Sequence, residues 1–174
     1  INLYCGMSRH GVTDVHVVAG SSKHTSSHTN KKGKPARNIT TGEYREVLQQ
    51  TLLPGGKKLF TTQGISTWVL QQDNDPTHRC AAAEMEQYNK DNASSVQLLK
   101  PWPPSSPDLN PIENLWAWVQ REVDRKGCNS YEEFKAAVID TIAAVPKQHL
   151  GNLCDSMPKR LQAVVEKQGD LTKY

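Results

Sequence analysis

The sequence lacks the features that mark several common protein classes. No run approaches the roughly 18 consecutive apolar residues of a membrane-spanning helix, so we expect no transmembrane segment and no membrane partner. The four cysteines form no CxxC pair, which argues against a zinc ribbon and a disulfide scaffold and favours a reducing compartment. The sequence has neither a GxGxxG nor a GxxxxGK(S/T) loop. A nucleotide-phosphate cradle is therefore not supported.

The composition fits one folded domain. The 174 residues are 36% hydrophobic and 22% charged and include four tryptophans. A chain of this length buries roughly 70% of its unfolded surface, which is enough for a stable core. The sequence begins at Ile1, with no initiator Met and no signal-type apolar stretch. We therefore expect it to be part of a longer product.

Positive charge is concentrated in one segment. The net charge is only +3, but residues 20–60 contain eight Lys and Arg residues against two Glu residues. Residues 20–39 have no apolar periodicity and are rich in turn formers, so we predict a long basic loop. Such a loop can follow a phosphate backbone or act as a nuclear import signal, although a plain solvated loop is an equal alternative. Its candidate DNA-binding residues are Lys23, Lys31, Lys32, Lys34 and Arg37.

The order of predicted elements indicates an α/β fold. Two strands, at residues 1–7 and 12–19, form a predicted hairpin, and a helix with a capping box begins at Thr40 and is expected to end at Pro54. A buried strand is predicted at 68–70 and a further strand at 96–99, with a helix between them that starts at Asp75. Strands separated by a helix favour parallel pairing, here beside an antiparallel hairpin.

The last third of the chain is predicted to be helical. A proline-rich connection at residues 100–110 must be irregular and fairly rigid. The apolar stripe that follows it starts at Ile112 and has helical spacing as far as Val123. Residues 130–174 then contain three helix-start signals, so we expect a C-terminal group of helices.

Two carboxylates stand at positions where α/β folds collect functional side chains. Asp73 follows a predicted buried strand, and Glu113 opens the helix after the proline-rich connection. Brought together, they could hold divalent cations such as Mg²⁺, which prefer oxygen ligands. Both also have a structural alternative, because residues 73–76 fit a strand-to-helix turn and residues 110–113 fit a helix N-terminus. Spacing alone favours these structural roles.

The motifs around these two acids resemble a known family. QQDNDPTH at residues 71–78 and KPWPPSSPDLNPIENLW at residues 100–116 are similar to the catalytic core of Tc1/mariner transposases, members of the DDE superfamily of endonucleases. LYCGMSRHGV, at residues 3–12, resembles the family's strand-turn-strand segment. The resemblance extends over nearly the whole chain and is weakest at residues 20–39.

The resemblance implies an RNase H-like mixed sheet flanked by helices and a triad of acids that binds two Mg²⁺ or Mn²⁺ ions. By motif match, Asp73 is the second acid and Glu113 the third, although the interval between them is longer than in typical members. The implied activity is metal-dependent cleavage and strand transfer of double-stranded DNA at transposon ends and target sites. The nucleus is the implied compartment in a eukaryote, and a homo-oligomer is a further implied partner.

The first acid of the triad has no counterpart in the sequence. In the family it lies on a central strand upstream of the hairpin, and residues 1–174 are therefore expected to be a partial catalytic domain, inactive alone and lacking its first strand. One alternative is a non-catalytic nucleic-acid-binding protein derived from a transposase, which would use the basic loop. Another is an unrelated metal-dependent nuclease of RNase H-like fold.

Overall fold

The computed structural model describes residues 2–18, 39–170 and 172–174. The predicted basic loop, with Lys23, Lys31, Lys32, Lys34 and Arg37, falls outside the described residues apart from Ile39. None of the described helices is long and apolar enough to cross a membrane.

The predicted N-terminal hairpin is present, but a bulge divides each of its strands. Its strands are β1 (Leu3–Tyr4), β2 (Met7–Ser8), β3 (Gly11–Val12) and β4 (His16–Val17). Antiparallel pairing joins β1 to β4 and β2 to β3. Two residues on one strand face three on the other between these ladders, and the Gly6 N–H donates to the Thr13 hydroxyl at 2.8 Å. One extra residue in one strand is the defining feature of a β-bulge.

The helix predicted to stop at Pro54 continues to Thr61, so that boundary was wrong. It is built from α1 (Thr41–Val47), a π-helical turn (Leu48–Leu52) and α2 (Leu53–Thr61), and it starts with the predicted capping box of Thr40 and Glu43. The Leu53 N–H donates to the Leu48 carbonyl, five residues back. The π turn thus resets the hydrogen-bond register, and Pro54 enters the first turn of α2, where a missing N–H is tolerated.

Glycine at position 56 lets α2 approach the Trp68 ring. A Cβ atom built on Gly56 would lie 2.5 Å from Cη2 of Trp68, which is well inside van der Waals contact. The indole is buried and stacked on Phe60, with ring centroids 5.3 Å apart, so it has little room to move.

We expect Gly56→Ala to lower the free energy of unfolding by about 1–3 kcal/mol, because the added methyl group overpacks this contact. Gly151→Ala is the matched control, since a Cβ there meets nothing within 4 Å. Removing a glycine from an open helical position is expected to stabilise the protein by about 0.5–1 kcal/mol. Thermal unfolding of the two variants measures both effects, and equal melting temperatures would contradict the packing argument.

The predicted parallel strand pair is confirmed. The strands are β5 (Thr67–Leu70) and β6 (Ser95–Leu98), which pair in parallel, and α3 (Ala81–Asn92) connects them. A short 3₁₀ helix (Pro76–Cys80) precedes α3 and is capped by Asp75, as the sequence predicts. Only one face of β5 is buried, which corrects the expectation of a fully buried strand: Trp68 is 7% exposed, whereas Val69 is 51% exposed.

The C-terminal third is helical, as predicted. A 3₁₀ turn (Pro107–Leu109) ends the proline-rich connection, and four helices follow, α4 (Ile112–Asp124), α5 (Tyr131–Ala143), α6 (Lys147–Asp155) and α7 (Met157–Glu166). The predicted stripe of α4 is buried at Leu115, Val119 and Val123. Pro111 stands at the N-cap position of α4, within the helix start predicted at residues 110–113.

The hairpin lies between two apolar cores. Its Tyr4 and Val18 belong to the core formed with α1, α2, β5, α3 and β6. Its Leu3 and Cys5 face the core formed with α4, α5 and α6. Within residues 2–18, 39–170 and 172–174, no ladder of hydrogen bonds joins the hairpin to the β5–β6 pair. The four cysteines are free thiols, and burial raises the pKa of Cys5 to about 12.

Candidate metal centre

The Asp73 carboxylate lies just beyond the end of β5, and its side chain is 61% exposed. Its Oδ1 atom accepts a hydrogen bond from the Asp75 N–H at 3.1 Å. This turn fixes the backbone while leaving the carboxylate open to solvent. An exposed, locally fixed carboxylate is able to bind a partly hydrated cation.

Aromatic and amide side chains pack around the turn that carries Asp73. The His78 ring stacks against Tyr44, with centroids 4.0 Å apart. The His78 Nδ1 atom lies 2.8 Å from Asp73 Oδ1 but is not aligned for a hydrogen bond. The Tyr44 hydroxyl donates to Gln72 Oε1 at 2.8 Å, and the Gln72 amide donates to the His78 carbonyl at 3.1 Å. Burial raises the pKa of Tyr44, so its phenol remains a donor at neutral pH.

Asp75 has a structural role that distinguishes it from Asp73. Its Oδ1 atom accepts from the Thr77 N–H at 2.8 Å and from the Thr77 hydroxyl at 2.6 Å. The hydroxyl bond and then the backbone bond hold the pKa of Asp75 below its usual value. The carboxylate is therefore committed to capping the 3₁₀ helix that leads into α3.

Glu113 occupies the first turn of α4 with an exposed side chain. Its N–H donates to the Asn110 carbonyl at 3.1 Å, which anchors it to the end of the proline-rich connection. Within the part of the chain that the structure describes, no group donates a hydrogen bond to its carboxylate. The Glu113 carboxylate is thus also available to a ligand.

Two hydrogen bonds join the segment that carries Asp73 to the segment that carries Glu113. The Gln71 amide donates to Asn110 Oδ1 at 3.4 Å, and the Asn74 amide donates to the Trp102 carbonyl at 2.8 Å. The end of β5 and the start of α4 are therefore held side by side. The structure brings together the two elements that bear the predicted acids.

The donor set suits a hard divalent cation but is incomplete in these residues. Two exposed carboxylates are typical ligands of Mg²⁺ or Mn²⁺, which retain several waters when protein ligands are few. Among residues 2–18, 39–170 and 172–174, no cluster of three or more His, Cys, Asp or Glu side chains is arranged to hold a metal ion. Waters, or residues outside the described ranges, would supply the remaining ligands of such an ion.

The residues that support the two acids were not predicted from the sequence. Tyr44 and His78 meet across 34 positions of the chain, and Gln71 meets Asn110 across 39. Gln71, His78 and Asn110 lie inside the two motifs that resemble the family, but the motifs do not indicate what these side chains contact. Their contacts depend on the packing of α1, β5 and α4.

Comparison with known proteins places the chain in a family. Residues 6–135 match the family model described as "DDE superfamily endonuclease". The Tcb2 transposase of Caenorhabditis briggsae is 36% identical over 132 residues, which are 75% of this chain and 45% of that protein. The Tc1 transposase of Caenorhabditis elegans is 32% identical over 133 residues, 76% of this chain and 45% of that protein. The chain thus spans less than half the length of these relatives.

A solved structure shows the same fold. The catalytic domain of the Mos1 mariner transposase superposes with a TM-score of 0.67 over 99% of this chain and 82% of that domain, at 17% sequence identity. The expected RNase H-like α/β architecture is confirmed by this likeness. The family model covers most of the chain, and the curated relatives are Tc1-type transposases. The chain belongs to the DDE superfamily of endonucleases.

Proposed function

We propose that the full-length protein is a Tc1/mariner-type DNA transposase, which cleaves DNA strands at transposon ends and transfers them to a target. The observation that carries this proposal is the cross-linking of the Asp73 and Glu113 segments by the Gln71–Asn110 and Asn74–Trp102 hydrogen bonds. These bonds support the proposal because they join the two segments that carry the exposed acids, in a chain whose fold is like that of a transposase catalytic domain.

Asp73 and Glu113 would hold the divalent ions, Mg²⁺ or Mn²⁺. When bound, a metal pair activates an attacking water or hydroxyl and stabilises the leaving oxygen of a phosphodiester. Asp73 is oriented for this role by the Asp75 N–H. Glu113 is oriented by the first turn of α4 and by its anchor to Asn110. The stack of Tyr44 and His78 limits the movement of the Asp73 turn.

A strand and an acid from outside residues 1–174 would complete this domain. The described residues show no hydrogen-bonded ladder between the hairpin and β5, and among them β5 pairs only with β6. A strand inserted there would pair the free edge of β5 and bring the first acid of the triad beside Asp73. On this proposal, residues 1–174 form a partial catalytic domain that is inactive alone.

DNA is the proposed partner. The structure described as "Crystal structure of the Mos1 Strand Transfer Complex" matches 91% of this chain with a TM-score of 0.58. In this protein, the five cations of residues 20–39 would follow the phosphate backbone of double-stranded DNA without reading its sequence. A eukaryotic transposase acts in the nucleus, and the relatives named above are from nematodes. We also propose that the protein works as a homo-oligomer, because two transposon ends must be joined.

Metal dependence of DNA cleavage tests this proposal. We expect the full-length protein to cleave DNA that carries the ends of its own element in Mg²⁺ or Mn²⁺ and to lose this activity in EDTA. DNA binding in EDTA should persist and should weaken as the salt concentration rises. Cationic residues displace counterions from the DNA phosphates when they bind, and added salt opposes this release. Salt-sensitive binding with no cleavage in any divalent metal would support the non-catalytic DNA-binding protein instead.

A further inference from the structure

One buried arginine joins three segments at the base of the candidate site. Arg160 of α7 is only 2% exposed. Its Nη1 atom donates to the Asp108 carbonyl at 2.6 Å, Nη2 donates to Asn114 Oδ1 at 2.6 Å, and Nε donates to the Ser156 hydroxyl at 2.8 Å. The guanidinium is thus bonded to the proline-rich connection, to the first turn of α4 and to the N-cap residue of its own helix.

The C-terminal residues enclose this arginine. The Tyr174 ring lies 4.8 Å from the guanidinium carbon, within the range of a cation–π contact. The buried Asp108 carboxylate accepts from the Thr172 N–H at 3.1 Å and from its hydroxyl at 2.8 Å. Burial alone would raise the pKa of Asp108, but the two bonds from Thr172, together with those from the backbone N–H groups of Asp108 and Leu109, outweigh it and keep the pKa below its usual value. The carboxylate therefore remains charged and bonded at neutral pH.

The bonds of Arg160 contribute more to the positions of the groups around it than to the free energy of folding. A buried cation loses its hydration, and a well-packed apolar side chain of similar volume is often as stabilising. The planar guanidinium, however, fixes three acceptors at defined angles. Asn114 directly follows Glu113, so the Nη2 bond sets the rotation of the helical turn from which the Glu113 carboxylate projects.

We propose that Arg160, closed in by Thr172 and Tyr174, is a positioning residue for Glu113 and so tunes the affinity of the site for a divalent ion. This inference rests on the proposed function, since it takes Glu113 as a metal ligand. The C-terminal residues then have a defined task, which is to hold Arg160 and Asp108 in place under the first turn of α4.

Mn²⁺ binding to the full-length protein in the absence of DNA tests the proposal. The dissociation constant, measured by electron paramagnetic resonance of free Mn²⁺, is compared for Glu113→Gln, Arg160→Met, Arg160→Lys and Thr172→Val. Losing an outer partner of a metal ligand weakens binding about 10- to 100-fold, and Arg160 acts one step further away. We therefore expect Arg160→Met to raise the Mn²⁺ dissociation constant of the site that depends on Glu113 by roughly three- to tenfold. Arg160→Lys should raise it less, and Thr172→Val, which removes the hydroxyl bond to Asp108, should raise it least.

Ile142→Val is the matched control for stability. It removes one buried methylene group from α5 and touches none of these bonds. We expect Ile142→Val to lower the melting temperature and leave the dissociation constant for Mn²⁺ unchanged. Arg160 and Thr172 variants that lower the melting temperature but bind Mn²⁺ as the control does would overturn the positioning role. Unchanged Mn²⁺ binding by Glu113→Gln would instead overturn the proposed function on which it rests.

Discussion

Asp73→Asn in the full-length protein is expected to reduce metal-dependent DNA cleavage by about a thousandfold, with DNA binding retained. The substitution keeps the shape of the side chain and its bond to the Asp75 N–H, since an amide oxygen also accepts. It removes the negative charge that a divalent ion needs. Several kcal/mol of charge stabilisation in the transition state depend on that ion, which corresponds to roughly three orders of magnitude in rate.

Asp75→Asn provides the control for Asp73→Asn. It makes the same chemical change two residues away, where the carboxylate caps a 3₁₀ helix. Asparagine caps helices about as well as aspartate, so stability and cleavage should stay within a few-fold of the unmodified protein. Single-turnover cleavage and a DNA-binding titration measure both properties. Equal losses of cleavage in the two variants would assign Asp73 to the turn and not to metal chemistry.

Glu113→Gln is expected to have an equally large effect on cleavage. The side chain is exposed in the first turn of α4 and receives no hydrogen bond within the described residues, so its loss should not disturb the fold. Removing a negative charge from the start of a helix costs about 0.3–1 kcal/mol through the helix dipole. This small destabilisation cannot produce a thousandfold loss of cleavage at a temperature where the protein is folded.

Glu132→Gln is the control for the effect of Glu113→Gln on stability. Glu132 is also exposed at the second position of a helix, α5, and it belongs to the acidic first turn of that helix. We expect both variants to lose a similar small amount of stability, and only Glu113→Gln to lose cleavage. Active Glu113→Gln protein would show that another residue supplies the third acid.

Local signals in the sequence were enough to predict most of the elements. The capping box at Thr40 and Glu43, the Asp75 cap and the β5–α3–β6 unit depend on residues close together in the chain. The same holds for the stripe of α4. The positions of Asp73 and Glu113, one after a strand and one in the first turn of a helix, follow from these local patterns, and the resemblance gave them roles.

Contacts over long sequence separations could not be predicted. Pro54 was expected to end a helix, but a π turn accommodates it. That turn could not be predicted, because it depends on how α1 and α2 pack on β5 and α3. The bonds of Arg160 to Asp108 and Asn114 span 52 and 46 residues, and arginine is rarely so buried. The exposure of one face of β5 likewise depends on which elements pack against each side of the sheet, and no pattern inside residues 67–70 indicates this.

The central claim is that Asp73 and Glu113 hold the same divalent metal centre. Crystals of the full-length protein soaked in Mn²⁺, with anomalous diffraction data, locate the ions directly. We predict anomalous peaks bonded to carboxylate oxygens of both Asp73 and Glu113, with the two ions about 3.5–4 Å apart if both sites fill. Mn²⁺ bound elsewhere, with these two carboxylates free of metal, would contradict the account.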